Sequence, residues 1–247
     1  MADVIQGLWV GRPLSGLERL SITSFLRHGH EYHLYCYDDV GPLPAGAVLK
    51  DGNAILPASE IFRYSHGPER GSLSAFSNLF RYRLLQERGG WWADTDAVCL
   101  RPWDFPAPVV VASESTQDRR AKVANGVMKL PEGHPVAASC YGEASRVDRG
   151  TVQWGQIGSA LLTRALVENN LLHVIMKPEV FCPLPWWDWH LLLAEDSGPA
   201  RAFVTGDSYS IHLWQEMWRR AGLDEVAGVP PASSLVGQLL EHFEVEW

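Results

Sequence analysis

Two aspartates separated by a single threonine, Asp94-Thr95-Asp96, follow an apolar, tryptophan-rich run in this chain. In an extended strand, residues i and i+2 point to the same side, so both carboxylates are expected to face one place. Two like charges this close are costly unless a cation or protons lie between them. A hard divalent ion such as Mn²⁺ or Mg²⁺ accepts oxygen ligands of this kind and keeps coordination positions for phosphate oxygens. The spacing therefore indicates a metal site that suits a phosphorylated ligand.

A helix and a glycine turn are predicted directly before this motif. Apolar side chains recur at helical spacing from Ser72 to Arg88, and Gly89-Gly90 suits the left-handed end of a helix. One strand is then predicted from Trp91 through both aspartates to Leu100. An acidic pair is weak evidence by itself, but two carboxylates in such an apolar strand need a partner, because unpaired burial is expensive.

The N-terminal segment predicts the sheet that carries the motif. Residues 3–11 are expected to form a buried strand, Ser15 to His28 a helix capped by Ser15, and His33 to Tyr37 a second strand, whereas 41–57 suggests an irregular connection. This βαβ order implies a parallel sheet, in which ligands bind beyond the carboxyl ends of the strands. Three residues at those ends are predicted to be either ligand contacts or core residues: Trp9, Val10 and Tyr37.

The composition limits the classes of function. The chain has 247 residues with an ordinary globular mixture and no internal repeat or linker, so residues 1–247 are predicted to form one domain. A formal net charge of −8 disfavours nucleic acid or an anionic membrane as the main partner. No stretch reaches the length of a membrane span. The four cysteines are scattered, so we expect buried thiols in a cytoplasmic protein without an integral membrane segment.

The run from Ser77 to Leu85, followed by Gly89 to Asp96, resembles the sugar-binding region of the Asp-x-Asp glycosyltransferases. That group includes the family with the yeast initiating mannosyltransferase, capsular-polysaccharide transferases, α-1,4-glycosyltransferases and the large clostridial glucosylating toxins. The resemblance implies an α/β chain of GT-A type, with a Rossmann-like mixed sheet flanked by helices. It also implies Mn²⁺ or Mg²⁺, a UDP- or GDP-linked sugar donor, transfer with retention, and a sugar or glycan acceptor such as a growing polysaccharide.

The same resemblance assigns the metal ligands. Asp96 is expected to bind the metal directly, and Asp94 to contact the metal, a metal-bound water or the donor sugar. His212 lies in a run similar to the family's His-x-Trp element and is the expected third ligand, since neutral imidazole suits Mn²⁺. A buried, satisfied histidine is the alternative. Trp214 or Trp218 is expected to donate its indole N–H to the departing phosphate.

The helix before the motif is expected to hold the donor. Arg81 matches an arginine that binds the donor sugar and phosphates, with a solvated or salt-bridged arginine as the alternative. Asn78 stands where relatives usually have aspartate. This difference leaves the identity of the donor open, and it also leaves open whether the activity is weakened or lost. Asn125 and Glu114 are further candidates, with turn or edge positions as the alternative. Asp94, Arg81 and Asn78 form the predicted catalytic group; the predicted donor-binding residues are Trp9, Val10, Tyr37, Asn78, Arg81, Asp94, Thr95, Asn125, Trp214 and Trp218.

Some assignments keep an alternative. The tryptophans between Trp186 and His190 suit either an acceptor sugar or the core. A hydrolase of glycosides or nucleotide sugars is one alternative function, although two carboxylates two residues apart are poorly placed to flank a glycosidic bond. A catalytically weak nucleotide-sugar binding protein is the other, suggested by Asn78.

Overall fold

The computed structural model describes residues 4–11, 13–223 and 228–247. Within these ranges the strands are β1 (Ile5–Trp9), β2 (Tyr32–Cys36), β3 (Val48–Asp51), β4 (Gly90–Ala93), β5 (Ala97–Cys99), β6 (Val110–Ser115), β7 (Ala121–Leu130) and β8 (Ser210–His212). The helices are α1 (Gly16–Arg27), α2 (Ser74–Arg88), α3 (Pro135–Ala144), α4 (Ser159–Glu168), α5 (Pro178–Phe181), α6 (Gly198–Arg201), α7 (Gln215–Arg220) and α8 (Leu235–His242). Short 3₁₀ segments lie at Gly52–Ala54, Ala58–Glu60, Leu172–Val174 and Trp186–Leu193.

A mixed sheet forms the scaffold, as predicted. Six strands are hydrogen-bonded in the order β3-β2-β1-β4-β7-β6. The first four run parallel to one another, and β7 pairs antiparallel with both β4 and β6. β5 and β8 form a separate two-stranded antiparallel sheet. The carboxyl ends of β1, β2 and β4 therefore lie at one edge of the large sheet, next to the small one.

The predicted βαβ unit is confirmed. Ser15 caps α1: its hydroxyl accepts from the Leu17 N–H at 3.2 Å, and the Glu18 carboxylate accepts from the Ser15 N–H at 2.6 Å. β1 is shorter than predicted, whereas β2 has the predicted length and begins one residue earlier; Asp3 and Arg12 lie outside the described residues. The irregular connection predicted for 41–57 is wrong in part, because β3 adds a parallel edge strand beside β2.

The single strand predicted from Trp91 to Leu100 is also wrong. The chain forms a turn at the two aspartates, in which the Ala97 N–H donates to the Asp94 carbonyl at 2.9 Å. The Asp94 N–H in turn donates to the Gly126 carbonyl on β7 at 2.8 Å. Aspartate favours turns because its side chain competes for backbone hydrogen bonds. β4 therefore stays in the large sheet, while β5 leaves it to pair with β8.

The glycine turn at the end of α2 is confirmed. Gly89 has φ 60° and ψ −162°, a region open essentially only to glycine. A Cβ atom there would lie 2.4 Å from the Glu132 backbone nitrogen. The buried Gln6 side chain donates to the Gly89 carbonyl at 2.7 Å, which fixes the turn against β1. The turn thus sets the point at which α2 delivers the chain into β4.

Both faces of the large sheet are covered. Trp91 and Trp92 are buried in different apolar clusters, as expected for neighbouring residues of a strand. Trp92 packs with residues of α2, α3 and α4, and Trp91 packs against Trp103 and Phe181. The four cysteines are buried free thiols, as predicted. Among the described helices, none combines the length and the apolar character that crossing a bilayer requires.

Candidate metal and donor site

Three predicted metal ligands come together where the two sheets meet. Asp94, Asp96 and His212 each offer a ligand atom, and these atoms all lie within 4.8 Å of one another. The register of the small sheet is responsible, because Ala97 pairs with His212 and the Leu213 N–H donates to the Asp96 carbonyl at 2.9 Å. His212 Nε2 lies 3.1 Å from Asp96 Oδ1. The turn after β4 and the end of β8 thus share one polar site.

Two hydrogen-bond donors fix the orientation of Asp94. Its Oδ1 accepts from Trp92 Nε1 at 2.8 Å and lies 3.0 Å from Arg81 Nη2. Its Oδ2 points toward Gly126, where a Cβ atom would lie 2.8 Å from that oxygen and 3.6 Å from His212 Nε2. Only glycine leaves this space open. One carboxylate oxygen is therefore held by the protein, and the other faces the shared site.

Asp96 is held from the start of α7. Its Oδ2 accepts from the Gln215 backbone N–H at 2.9 Å. The preceding residue, Trp214, has left-handed backbone angles of φ 58° and ψ 43°, which cost a bulky residue on the order of 1–2 kcal/mol. Trp214 is held there by its indole N–H, which donates to the Leu184 carbonyl at 2.9 Å, and by its ring, centred 4.1 Å from the His212 ring. This left-handed turn points the Gln215 N–H at Asp96.

The charges of the three side chains depend on one another. Burial raises the pKa of Asp94 above its ordinary value, and Arg81 only partly offsets this. Burial opposes ionisation of Asp96 as well, but the nearby His212 and its hydrogen bond hold the pKa of Asp96 below its ordinary value. Burial disfavours a charged His212, yet Asp96 outweighs it and the pKa of His212 is raised. The site therefore stabilises positive charge between the two carboxylates.

A divalent cation fits this donor set. Bonds of about 2.1 Å to Mg²⁺ place opposite ligands about 4.2 Å apart, so atoms within 4.8 Å need to move by only a few tenths of an ångström. Two carboxylates and a neutral imidazole are also ligands that suit Mn²⁺. A cation would replace the proton that His212 otherwise holds against Asp96. Asp94, Asp96 and His212 form a candidate metal site on these grounds.

Arg81 is buried rather than solvated. Its side chain is 3% exposed and stacks over the Trp92 ring, with Cζ 4.7 Å from the ring centroid. Besides Asp94, it donates to the Ser77 carbonyl at 3.3 Å, to the Ser77 hydroxyl at 2.9 Å and to the Asn125 carbonyl. Arg81 thus ties α2 to the aspartate turn and to β7. Its contact with the donor phosphates stays a prediction.

Asn78 and Asn125 meet beside Arg81. The Asn125 amide donates to Asn78 Oδ1 at 2.7 Å. A Cβ atom on Gly158 would lie 2.9 Å from Asn78 Nδ2, so the absence of a side chain there gives the amide its space. Tyr82 closes the other side and donates to the Gly158 carbonyl at 3.1 Å. Two neutral amides therefore stand next to the charged Arg81–Asp94 pair.

The remaining donor-binding candidates lie at different depths. Trp9 and Val10 are partly buried at the end of β1, and Thr95 is buried in the aspartate turn. Tyr37 follows β2, and its hydroxyl donates to the Leu56 carbonyl at 2.7 Å. Trp218 is 1% exposed in a C-terminal apolar cluster. With the Trp214 indole N–H engaged by Leu184, donation to a phosphate from either tryptophan stays a prediction.

The weaker sugar-site candidates have structural partners. Glu114 lies on β6 and pairs across the sheet with Lys122 at 3.4 Å. Trp186 is 36% exposed, and Trp187 packs against it with ring centroids 5.7 Å apart. Trp189 instead belongs to the C-terminal cluster. An acceptor contact at Trp186 and Trp187 also stays a prediction.

Several residues of the site are not evident from the sequence. Trp92, Gly126 and Gln215 hold or make room for the two aspartates. Gly126 belongs to an Asn-Gly pair, which alone suggests a turn rather than a position in β7. Glu18 carries one visible signal, the Ser15-x-x-Glu18 pattern of a capping box, but that pattern does not explain its contact with Gln215.

Sequence comparison finds similarity to known glycosyltransferases. Residues 130–242 match a family model described as the alpha 1,4-glycosyltransferase conserved region. The chain is 26% identical over 207 residues to lactosylceramide 4-alpha-galactosyltransferase of Gorilla gorilla gorilla, across 78% of this chain and 61% of that protein. It is 24% identical over 190 residues to human alpha-1,4-N-acetylglucosaminyltransferase, across 71% of this chain and 52% of that protein. The chain thus spans about half to three fifths of these relatives' length.

A solved structure gives the fold. The PaToxG glycosyltransferase superposes with a TM-score of 0.52 at 15% identity, covering 68% of this chain and 69% of that one. This likeness confirms the GT-A architecture that the sequence motif implies. The chain therefore has a GT-A fold, and its sequence is similar to those of α-1,4-glycosyltransferases.

Proposed function

We propose that this protein is a retaining glycosyltransferase that needs a divalent metal and moves a sugar from a UDP- or GDP-linked donor to a sugar or glycan acceptor. The observation that carries the proposal is the cluster of Asp94, Asp96 and His212, whose ligand atoms lie within 4.8 Å of one another. It stands beyond the carboxyl end of β4, the edge at which ligands bind in open sheets of this kind. The glycosyltransferase relatives support the same reaction class.

The proposed metal dependence follows from the charge of the leaving group. When the bond between sugar and diphosphate breaks, negative charge builds up on the departing diphosphate. A Mn²⁺ or Mg²⁺ ion held by the three side chains would supply positive charge against it. The chain's own residues contribute position: Arg81 and Trp92 fix one oxygen of Asp94, and the Gln215 N–H fixes one oxygen of Asp96.

The neighbouring amides support a sugar pocket. Asn78 and Asn125 stand beside Arg81, and each amide offers both donors and an acceptor. Neutral amides suit sugar hydroxyls, which also donate and accept. We propose that these two residues contact the donor sugar and help to select it. The names of the relatives suggest galactose and N-acetylglucosamine as the first sugars to test.

A dedicated glycoside hydrolase is less well supported. Its two carboxyl groups flank the bond from opposite sides and stand about 5–9.5 Å apart. Here the two carboxylates belong to one turn and offer ligand atoms within 4.8 Å of each other, which suits a shared cation. Retention itself is proposed from the family resemblance. NMR of the product's anomeric proton, recorded early in the reaction, tests it directly.

The decisive experiment measures release of nucleoside diphosphate from a panel of UDP- and GDP-sugars, with Mn²⁺ or with EDTA. Release that depends on the metal, from one donor, and that is lost in Asp96→Asn, is the expected result. A matched control is Asp207→Asn, which changes an exposed carboxylate that is neither a candidate ligand nor part of a candidate acceptor segment. Donor binding without release, in the presence of an acceptor panel, would favour the catalytically weak binding protein instead. If the protein shows no donor binding and no release of nucleoside diphosphate, the proposal is refuted.

Two broader proposals accompany this function. We propose that residues 1–247 act as one catalytic domain, and that the chain works in the cytoplasm on a polysaccharide or other glycan. Limited proteolysis of the protein with and without Mn²⁺ tests the first, because a single domain gives one protected core. Localisation of a tagged full-length protein tests the second.

A further inference from the structure

We propose that Glu18 is a positioning residue for the metal site, acting on Asp96 through Gln215. This inference rests on the proposed function, because it assumes that Asp96 binds a cation. Glu18 lies in the first turn of α1, far from Gln215 in sequence and outside the family-like motif. Its contacts exceed those of a helix-capping residue.

Glu18 uses its two oxygens for different purposes. Oε2 completes the capping box of α1, accepting from the Ser15 N–H and the Ser15 hydroxyl, both at 2.6 Å. Oε1 accepts from the side-chain amide of Gln215. The residue is 0% exposed, whereas a capping glutamate at a helix start is ordinarily solvated. Burial of a carboxylate is expensive, so three hydrogen bonds from two elements must compensate it.

Gln215 connects this carboxylate to the metal site. Its side chain donates to Glu18, while its backbone N–H donates to Asp96 Oδ2 at 2.9 Å. Gln215 is also the first residue of α7 and follows the left-handed Trp214. A side chain tied to α1 restricts the rotation of this N–H. Glu18 therefore controls the direction of the hydrogen bond that orients Asp96.

Helix α1 also holds the backbone next to Asp96. Ser21, on the same helix, donates to the Ala97 carbonyl at 2.6 Å, and the Ser24 hydroxyl accepts from the Cys99 N–H at 2.8 Å. Both contacts hold β5, whose first residue directly follows Asp96. One rigid helix thus fixes the backbone on the C-terminal side of Asp96 through its serines. Through Glu18 it fixes the group that holds the Asp96 side chain.

The experiment compares four variants in direct binding of Mn²⁺ by isothermal titration calorimetry. Glu18→Ala and Gln215→Ala remove the connection, and we expect each to weaken Mn²⁺ binding by about 10-fold, as for other residues that orient metal ligands. Ser15→Ala is the matched control. It disrupts the same capping box but leaves the contact between Glu18 and Gln215, so Tm should fall while Mn²⁺ affinity stays close to that of the wild type. Glu18→Gln should restore binding, since glutamine also supports a capping box and can donate to a rotated Gln215 amide.

Amide hydrogen exchange supplies a readout that needs no metal. The Gln215 N–H should exchange faster in Glu18→Ala than in the wild type or Ser15→Ala. Equal Mn²⁺ affinity and equal Gln215 protection in Glu18→Ala and wild type would overturn the positioning role while leaving the proposed function intact. Absence of Mn²⁺ binding by the wild type would instead refute the metal-dependent function. If the wild type binds no Mn²⁺ and the Gln215 N–H exchanges equally fast in Glu18→Ala and in the wild type, the positioning role of Glu18 is overturned as well.

Discussion

Replacing Gly126 by alanine adds one methyl group at the candidate metal site. The new Cβ would lie 2.8 Å from Asp94 Oδ2 and 3.6 Å from His212 Nε2. An ordinary contact between carbon and a heavy atom begins near 3.4 Å, so the Asp94 carboxylate must move by about 0.6 Å. That carboxylate is not free to move as a unit, because Trp92 and Arg81 hold its other oxygen. The oxygen that faces the shared site is therefore displaced.

The expected loss is in metal affinity and not in folding. Displacing an oriented ligand weakens metal binding by about 10–100-fold, or roughly 1.4–2.7 kcal/mol. The methyl group meets the end of a side chain rather than backbone, and Gly126 does not have a left-handed backbone conformation. The free energy of unfolding should therefore change by less than about 1 kcal/mol.

The assay is calorimetric titration of Mn²⁺ into wild type and Gly126→Ala, with thermal unfolding in EDTA as the measure of stability. Gly206→Ala is the matched control, because Gly206 also lacks a left-handed conformation and a Cβ atom there would have open space. Wild-type Mn²⁺ affinity in a folded Gly126→Ala protein would refute the reasoning, since the displaced Asp94 oxygen would then not be a ligand. A large loss of stability in EDTA would refute it differently, by showing that the methyl group disturbs the fold.

Two buried structural contacts and the Asp96–His212 pair are also open to direct tests. Ser24→Ala should lower the free energy of unfolding in urea by about 1–3 kcal/mol, because it leaves the buried Cys99 N–H without its acceptor; an unchanged midpoint would contradict this. Gly89→Ala should destabilise the protein by about 2 kcal/mol or more, since its backbone angles exclude other residues and its Cβ would meet backbone; a Tm equal to that of Gly206→Ala would contradict this. In EDTA, the free energy of unfolding should fall as the pH rises above about 6.5 through the pKa of His212, which Asp96 raises, and the pair's contribution should also be lost under acid through the lowered pKa of Asp96. Urea unfolding across pH measures this, and an identical pH profile in His212→Gln and wild type would contradict it.

Local structure and the candidate ligands could be predicted from the sequence. The capping residue Ser15 and the glycine at position 89 mark their helix ends through short-range chemistry that needs no other part of the chain. The spacing of Asp94 and Asp96 predicts a metal site, the resemblance adds His212, and the structure brings the three side chains together. Evidence of this kind depends on neighbouring residues or on a motif, and both are visible in one sequence.

Contacts between distant segments could not be predicted. The strand through Asp94 and Asp96 breaks because β5 pairs with β8 rather than with the large sheet, and no local pattern indicates that pairing. Burial of Glu18 depends on Gln215 in the same way. The Trp214 indole N–H donates to the Leu184 carbonyl, a partner 30 residues away that the sequence around Trp214 does not indicate. Each partner is chosen by the packing of whole elements, and amphipathic spacing alone does not encode which elements meet.

The small sheet of β5 and β8 has a consequence for the order of folding. It joins segments far apart in the chain, as the separation of 119 positions between Asp96 and Gln215 illustrates. Closing so large a loop is entropically expensive, so contacts of this kind tend to form late. A nascent chain that has not yet reached His212 carries only the two carboxylates of the candidate site. A cation that binds only the closed form would stabilise it by mass action. Binding of Mn²⁺ would then indicate that β8 has paired with β5. In protein without metal, this pairing would be the first part of the fold to be lost.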